Sequence, residues 1–403
     1  MKKLLLSLTC LVAAFTFQSC DSDDGGTINT EDKIKKEVVQ NYSKIVHASY
    51  QDSYELAVIL KDKIDAFVSN PTSSNFQAAK DAWYEAREPY GQTEAYRFAG
   101  GPIDAFGRAP EGMLNAWPLD ESFIDYVNHS EGVNLNIINN VTTYPTLSGQ
   151  LLRDLNEKDK VESSVSIGYH AIEFLLWGQD TVVPTAGAEH TTGGNRPYTD
   201  FVDGGTASHQ DRRRQYLEIA AELLLEDLKY LVDEWDADGN NYRSKFEGMK
   251  VDDALSRAIA GIGVLSSSEL SEERILVAVS ESRQEDEHSC FSDNTHRDII
   301  TNYQGIKNVY AGTYTRIDGS KVTGTSIHDL LMKKDEDKAK EIQEKFSHIE
   351  ANLAQTTIPF DYALTQSMDI ERLNTVVDDL RKLGEYFAST ANLLEVGTYT
   401  APE

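Results

Sequence analysis

The segment around residue 170 contains a histidine and a glutamate whose spacing suits one shared ligand. The stretch from Gly168 to Gly178 reads G-Y-H-A-I-E-F-L-L-W-G, so His170 and Glu173 are three positions apart. On an α-helix this spacing separates two side chains by about 60° around the axis, and both point the same way. Imidazole nitrogen and carboxylate oxygen both bind zinc and iron. The spacing alone leaves two interpretations open, a metal-ligand pair and a hydrogen-bonded structural pair in a helix interface.

A second group of candidates follows in the C-terminal half of the chain. Glu281, Glu285 and His288 would fall on one face of a continuous helix. Glu285 and His288 also have the Glu-x-x-His spacing found in carboxylate-rich metal sites of helical bundles. Ser292 or Asp293 is placed to cap the next helix, which predicts a tight helix-to-helix corner from Ser289 to His296. The alternative is a solvated, charged helix face.

A third group combines arginines and a glutamate between residues 83 and 98. Arg87, Glu94 and Arg97 stand close together in a segment with helical patterning. Burying all three is costly unless they pair with one another or with an anion. A salt-bridged surface explains the same residues equally well.

The three groups of candidate residues must be positioned by helices, because helical periodicity dominates the sequence. Apolar residues recur at steps of three and four, and alternating β-branched runs are nearly absent. The pattern predicts an all-α protein. The predicted helices cover roughly residues 56–67, 73–98, 146–176, 212–235, 267–290, 293–310, 335–356 and 370–394.

Two glycine-bearing stretches interrupt the helical pattern, at residues 102–118 and 184–209. Long loops within compact domains are usually functional or mark a boundary. We place a domain boundary inside the second loop. This predicts an N-terminal helical bundle over residues 31–185 and a C-terminal helical bundle over residues 205–400.

The N-terminus has the features of an export signal. Two lysines precede an apolar run from Leu4 to Phe17, which is too short to span a membrane. Residues 1–19 resemble a bacterial lipoprotein signal peptide, which implies lipidation of Cys20 followed by an acidic tether over residues 20–30. We therefore expect an exported protein, lipid-anchored to the bacterial outer membrane on its periplasmic or cell-surface face. With Cys10 removed and Cys20 lipidated, Cys290 alone remains, so no intrachain disulfide is expected.

Composition excludes several classes of function. The chain of 403 residues has 38 Lys and Arg against 66 Asp and Glu, a formal charge of -28. This balance makes nucleic acid a poor partner. The sequence contains no phosphate-binding G-x-x-x-x-G-K-[ST] loop and no G-x-S-x-G nucleophile elbow. Nucleotide-hydrolysing enzymes and α/β-hydrolases are therefore excluded.

The three candidate segments together resemble the imelysin family, exported bacterial proteins that are classed as metallopeptidases and include iron-regulated lipoproteins. The stretch from Gly168 to Glu173 matches the family's G-x-H-x-x-E signature, and Trp83 to Phe98 resembles its W…R…E-x-x-R segment. The stretch Q-E-D-E-H-S-C-F-S-D-N-T-H resembles the iron-regulated branch. The resemblance covers about residues 35–395. It implies two helical-bundle halves with the site in the cleft between them, and a role in iron uptake or iron-regulated physiology.

The resemblance also assigns candidate residues. Metal ligands are expected at His170, Glu173 and Asp293. The supporting or ligand-binding residues are expected to be Arg87, Arg97, Ser289, His296, Glu285 and His288.

Three functions are consistent with these residues. The first is binding of a divalent or ferric metal ion, with iron favoured and zinc possible. The second is a metallopeptidase with Glu94 as general base, although Phe174 stands where an H-x-x-E-H protease has its second histidine. The third is binding of a small anionic ligand through Arg87 and Arg97.

Overall fold

The structure is a computed structural model that describes residues 30–104, 110–127, 136–187 and 193–400. The predicted signal peptide, Cys20 and the predicted acidic tether as far as residue 29 lie outside the described residues. Within the described ranges all regular secondary structure is helical, apart from one short antiparallel hairpin of β1 (Thr313–Thr315) and β2 (Lys321–Thr323). This confirms the all-α prediction.

The helices fall into two runs along the chain. Those of the first run are α1 (Thr30–Ser69), α2 (Ser73–Thr93), α3 (Pro110–Leu114), α4 (Glu121–Ile124), α5 (Gly149–Leu155) and α6 (Gly168–Trp177). Those of the second run are α7 (Gln210–Trp235), α8 (Tyr242–Glu247), α9 (Val251–Val264), α10 (Val277–Glu281), α11 (Thr295–Ala311), α12 (Ile327–Lys334), α13 (Glu336–Leu353), α14 (Phe360–Ala363) and α15 (Ser367–Leu393). A π-helical segment, Leu265–Leu276, joins α9 to α10.

Apolar stripes on the long helices form one continuous hydrophobic core. Helix α1 packs against α2 and α7, and α15 packs against α9, the π-helical segment and α13. Helix α7 follows the proposed domain boundary in sequence but packs against α1 and α6, which precede it. The boundary itself stays a prediction.

Two predicted helices are shorter than their sequence patterns indicated. The expected helix over residues 146–176 is two helices, because α5 ends at Leu155 and α6 begins at Gly168. The expected helix over residues 267–290 ends at Glu281, because Ser282 has a left-handed backbone with φ 51°. A helix cannot continue through that conformation. Glu281, Glu285 and His288 therefore do not share one helix face, and that prediction was wrong.

No helix in the described ranges combines the length with the apolar character that a membrane span requires.

Candidate functional site

Helix α6 carries the first two candidate residues and is buried along its whole length. A helix that is apolar on all sides belongs in a protein interior. Its first residue, Gly168, has φ +87°, and a Cβ there would lie 2.6 Å from the carbonyl oxygen of Leu114. Only glycine allows this approach. The start of α6 is thereby held against the segment that leads into Asn115.

His170 and Glu173 form a direct pair on α6. The imidazole Nδ1 of His170 lies 2.8 Å from Oε2 of Glu173, and both side chains have no exposed surface. The second oxygen of Glu173 accepts hydrogen bonds from the Ser292 amide at 3.0 Å and the Ser292 hydroxyl at 2.7 Å. Glu173 therefore holds the imidazole of His170 on one side and the corner after α10 on the other.

A second histidine meets His170 edge to edge. Nε2 of His170 lies 3.3 Å from Nε2 of His288. Nδ1 of His288 lies 2.8 Å from Oδ2 of Asp298, a residue of α11. The site thus contains two carboxylate–histidine pairs whose outer nitrogens converge on one point. A carboxylate behind the imidazole fixes ring orientation and raises ligand basicity in metal sites.

The two converging Nε2 atoms of His170 and His288 require a proton or a cation between them. When each Nδ1–H donates to its carboxylate, both Nε2 atoms present lone pairs to each other. Burial lowers the pKa of His170 well below its ordinary value, with His288 adding to the effect. Burial likewise lowers the pKa of His288 to about 4, against the raising effect of Asp298. A doubly protonated imidazole is therefore disfavoured at neutral pH.

The hydrogen-bonding needs of His170 and His288 can be met either by a chain of protons or by a bound cation. Burial raises the pKa of Glu173 to about 8, although Ser292 and Arg87 oppose this. A protonated Glu173 can donate to Nδ1 of His170, whose Nε2–H then donates to His288. With Glu173 ionised, the same two Nε2 atoms carry lone pairs that can bind a metal ion. The residues present therefore fit a metal at this point.

Arg87 and Asn115 lie beside the histidine pair and enclose it on the His288 side. The buried Arg87 guanidinium lies 3.0 Å from Oδ1 of Asp298 and donates to the Asn115 carbonyl oxygen. This orients the Asn115 amide nitrogen toward Oε1 of Glu94, at 3.3 Å, and toward Nε2 of His288, at 3.4 Å. Arg87 thus fixes both Asp298 and Asn115 beside His288.

Glu94 lies in an ion-pair network next to Asn115. Its Oε2 is 2.8 Å from Arg274 and 3.0 Å from Arg97. Burial alone would raise the pKa of Glu94, but Arg274 and Arg97 lower it to about 2. A carboxylate held by two guanidinium groups at that pKa is a weak proton acceptor near neutral pH.

A cavity of about 570 Å³ opens beside the pair. Two of its lining residues, Asn115 and Trp117, also contact the histidines, and the Trp117 ring lies 5.1 Å from the His170 ring between centroids. Its charged lining consists of Arg97 and seven carboxylates: Glu111, Glu157, Glu162, Glu269, Glu273, Glu285 and Asp286. Walls of one sign concentrate ions of the opposite charge. The cavity therefore favours cations near the histidine pair.

The structure distributes the predicted residues over three places. Ser289 donates from its hydroxyl to Asp298, inside the histidine site. Glu285 lies in a short turn and lines the acidic cavity. Asp293 belongs to a separate group with Asp180 and Asp361, and His296 is buried at the start of α11. The ligand assignments at His170, Glu173 and Asp293 stay predictions.

Sequence patterns gave no reason to select three residues of the site. Asp298 lies two positions beyond the last residue of the recognised cluster, in the first turn of α11. Asn115 and Trp117 lie within the loop predicted at residues 102–118. The length of that loop was a signal of function, but nothing in it distinguished these two side chains.

Comparison with known proteins identifies the class. The family model described as Imelysin, of the peptidase group M75, matches residues 46–385, and the chain belongs to this family. "Iron-regulated protein A" of Synechococcus elongatus is 25% identical over 357 residues, covering 86% of this chain and 81% of the relative.

Two crystal structures share the fold. An iron-regulated protein A precursor from Parabacteroides distasonis matches with a TM-score of 0.68 and 18% identity, covering 91% of this chain and 96% of that one. An imelysin-like protein from Psychrobacter arcticum matches with a TM-score of 0.57 and 15% identity, covering 89% and 94%. The expected imelysin resemblance is thereby confirmed.

Proposed function

We propose that this imelysin-family protein binds a metal ion at His170 and His288 and acts in iron-regulated physiology or iron uptake. Iron is the favoured metal, since the cyanobacterial relative is named an iron-regulated protein, and zinc is the alternative. The side chains of Glu173 and Asp298 orient the two imidazoles. A metal ion here is bound cargo or a resident ion, and no reaction is required of it.

The distance between the two Nε2 atoms carries this proposal. Metal–nitrogen bonds of about 2.0 to 2.1 Å at a tetrahedral angle put two imidazole nitrogens about 3.3 to 3.4 Å apart. The observed separation is 3.3 Å. The acidic cavity supplies the second part of the argument, because it attracts cations toward Asn115 and Trp117.

Binding is favoured over the two alternatives. A zinc peptidase uses three protein ligands and a base, whereas Glu173 and Asp298 already accept from the histidines and Glu94 is held by two arginines. Anion binding would need an available guanidinium. Arg87 and Arg97 are both paired with carboxylates.

Metal titration of histidine variants tests the proposal. His288→Ala should reduce the affinity for ferrous iron and for zinc at least tenfold, measured by calorimetry on chelator-treated, untagged protein. Added metal should raise the wild-type melting temperature through preferential binding to the folded state and should leave the variant unmoved. His348→Ala is the matched control, because His348 is exposed and pairs with Asp379 of α15 and not with a residue of the histidine site. Equal metal responses in wild type and His288→Ala would refute the proposal.

We also propose that the protein is exported and held to the outer membrane by lipid on Cys20. The apolar run ending near that cysteine and the Asp-rich stretch after it support this. Cys20→Ala should abolish labelling by a fatty-acid probe and release the protein from the membrane fraction. Cys290→Ala is the control, because Cys290 is a buried free thiol in the folded domain. The lipid anchor would be contradicted if the Cys20→Ala protein carried no fatty-acid label and still appeared in the membrane fraction.

A further inference from the structure

Three aspartates from distant parts of the chain meet outside the histidine site. Asp180 follows α6, Asp293 lies in the corner before α11, and Asp361 lies in α14. One carboxylate oxygen from each lies within 4.8 Å of the others, and all three residues are buried. Two oxygens bound to one calcium ion at about 2.4 Å are at most about 5 Å apart. The spacing therefore accommodates a single ion.

A fourth carboxylate supports this group. Glu287 is fully buried, neither of its carboxylate oxygens makes a hydrogen bond of normal geometry, and its one hydrogen-bonding neighbour is the neutral Thr295. Its charge interacts with Asp361, Asp293 and Asp180. Oδ2 of Asp361 is also buried without a hydrogen-bond partner. Buried polar atoms in native proteins nearly always have partners, and these oxygens are available to a bound cation.

Three of the four carboxylates pair with no cationic side chain in the described part of the protein. No lysine or arginine of residues 30–104, 110–127, 136–187 or 193–400 forms an ion pair with Asp180, Asp361 or Glu287. Asp180 receives only neutral donors, the Val182 amide at 2.9 Å and the Gln284 side chain. Burial raises the pKa of Asp180 to about 8 and that of Asp361 to about 6, and repulsion from Asp293 adds to the rise in both. Several close carboxylates without a cation are unstable together.

We propose that Asp180, Asp293, Asp361 and Glu287 form a binding site for a hard divalent cation of the calcium type, separate from the histidine pair. The ligand set is all oxygen, with no imidazole or thiolate, and such sets suit calcium, magnesium or manganese rather than zinc. Calcium is preferred because it tolerates irregular geometry with carboxylates from unrelated segments. The ion fastens the ends of α6, the corner before α11 and α14 to one another.

Thermal unfolding with calcium chloride tests this site. Chelator-treated full-length mature protein in physiological salt should gain several degrees in melting temperature on addition of millimolar calcium, and equilibrium dialysis should show one saturable ion per chain. Asp361→Asn and Glu287→Gln should each weaken calcium binding at least tenfold. Without calcium both variants should melt at or above the wild-type temperature, because each removes repulsion. That last result separates a ligand from a structural carboxylate.

Two controls separate this inference from the metal site proposed above. Asp337→Asn removes an almost fully exposed carboxylate on α13 and should keep the whole calcium response, which excludes diffuse attraction to an acidic protein. His288→Ala should also keep it, whereas Asp361→Asn should keep the response to iron or zinc. The site is refuted when calcium has no effect on wild type, or when its effect is the same in Asp361→Asn.

Discussion

Asp125→Ala is expected to cost the protein about 3 to 5 kcal/mol of folding free energy, lowering the melting temperature by about 5 °C or more. Asp125 is fully buried and binds two arginines, with its Oδ2 2.6 Å from Arg196 and 2.7 Å from Arg213. Removing it leaves Arg213 without a carboxylate and Arg196 with only Asp200, at 3.5 Å. A buried guanidinium without its counter-charge is strongly destabilising.

The pH dependence of folding stability gives an independent measure of the contribution of the Asp125 carboxylate. Burial alone would raise the pKa of Asp125, but Arg196 and Arg213 lower it below the ordinary value. Its contribution is therefore complete above the unfolded-state pKa of about 3.9 and is lost as the pH falls toward the lower folded-state pKa. The stability difference between wild type and Asp125→Asn should narrow below about pH 4.

The matched control is the ion pair of Arg214, the residue that follows Arg213 on α7. Arg214 and Asp203 form a pair in which the Asp203 side chain is 81% exposed. Asp203→Ala should cost less than about 1 kcal/mol, since surface pairs contribute little. Chemical denaturation measures both variants. Similar losses for Asp125→Ala and Asp203→Ala would contradict the importance assigned to burial.

Asp298→Asn is expected to lower both stability and metal affinity. Asp298 receives hydrogen bonds from Arg87, His288, Ser289 and Asn294. An amide cannot balance the Arg87 charge, so a loss of about 3 kcal/mol is expected. The amide is also a weaker hydrogen-bond acceptor for the His288 imidazole than the carboxylate is. Loss of such a carboxylate behind a metal-binding histidine typically costs 10- to 100-fold in metal affinity.

Glu88→Gln is the control for that variant. Glu88 and Arg297 join the same two helices, α2 and α11, but at the surface. This change should leave the affinity for iron and zinc unaltered and reduce stability only slightly. Calorimetric titration of folded protein separates the two effects of Asp298→Asn. Unchanged metal affinity in folded Asp298→Asn would show that Asp298 stabilises the fold without positioning His288.

Sequence patterns predicted what depends on neighbours along the chain. The three-residue step from His170 to Glu173 placed both side chains on one face of α6, because helical geometry is local. The same logic was wrong for Glu281, Glu285 and His288. A single left-handed residue, Ser282, ends α10 between them, and backbone conformation at a serine is decided by tertiary packing.

Contacts across long separations were not predictable from spacing. His288 was expected as a supporting residue, yet its Nε2 lies 3.3 Å from Nε2 of His170 across 118 residues of sequence. Arg274 and Asp298 look like ordinary charged residues of surface helices, and only their burial against Glu94 and Arg87 shows their importance. The turn at Asp293, with φ 58°, brings this residue beside Asp180 and Asp361, a group that spacing along the chain did not predict.

A single peptide bond joins Ser292, which holds Glu173, to Asp293, which belongs to the acidic group. Anything that shifts one of these residues acts on the other. If both proposed sites bind their ions, thermodynamic reciprocity requires that calcium change the affinity for iron by the same factor by which iron changes the affinity for calcium. If the protein is exported as proposed, the level of an abundant hard cation outside the cell would then set how strongly the scarce one is held.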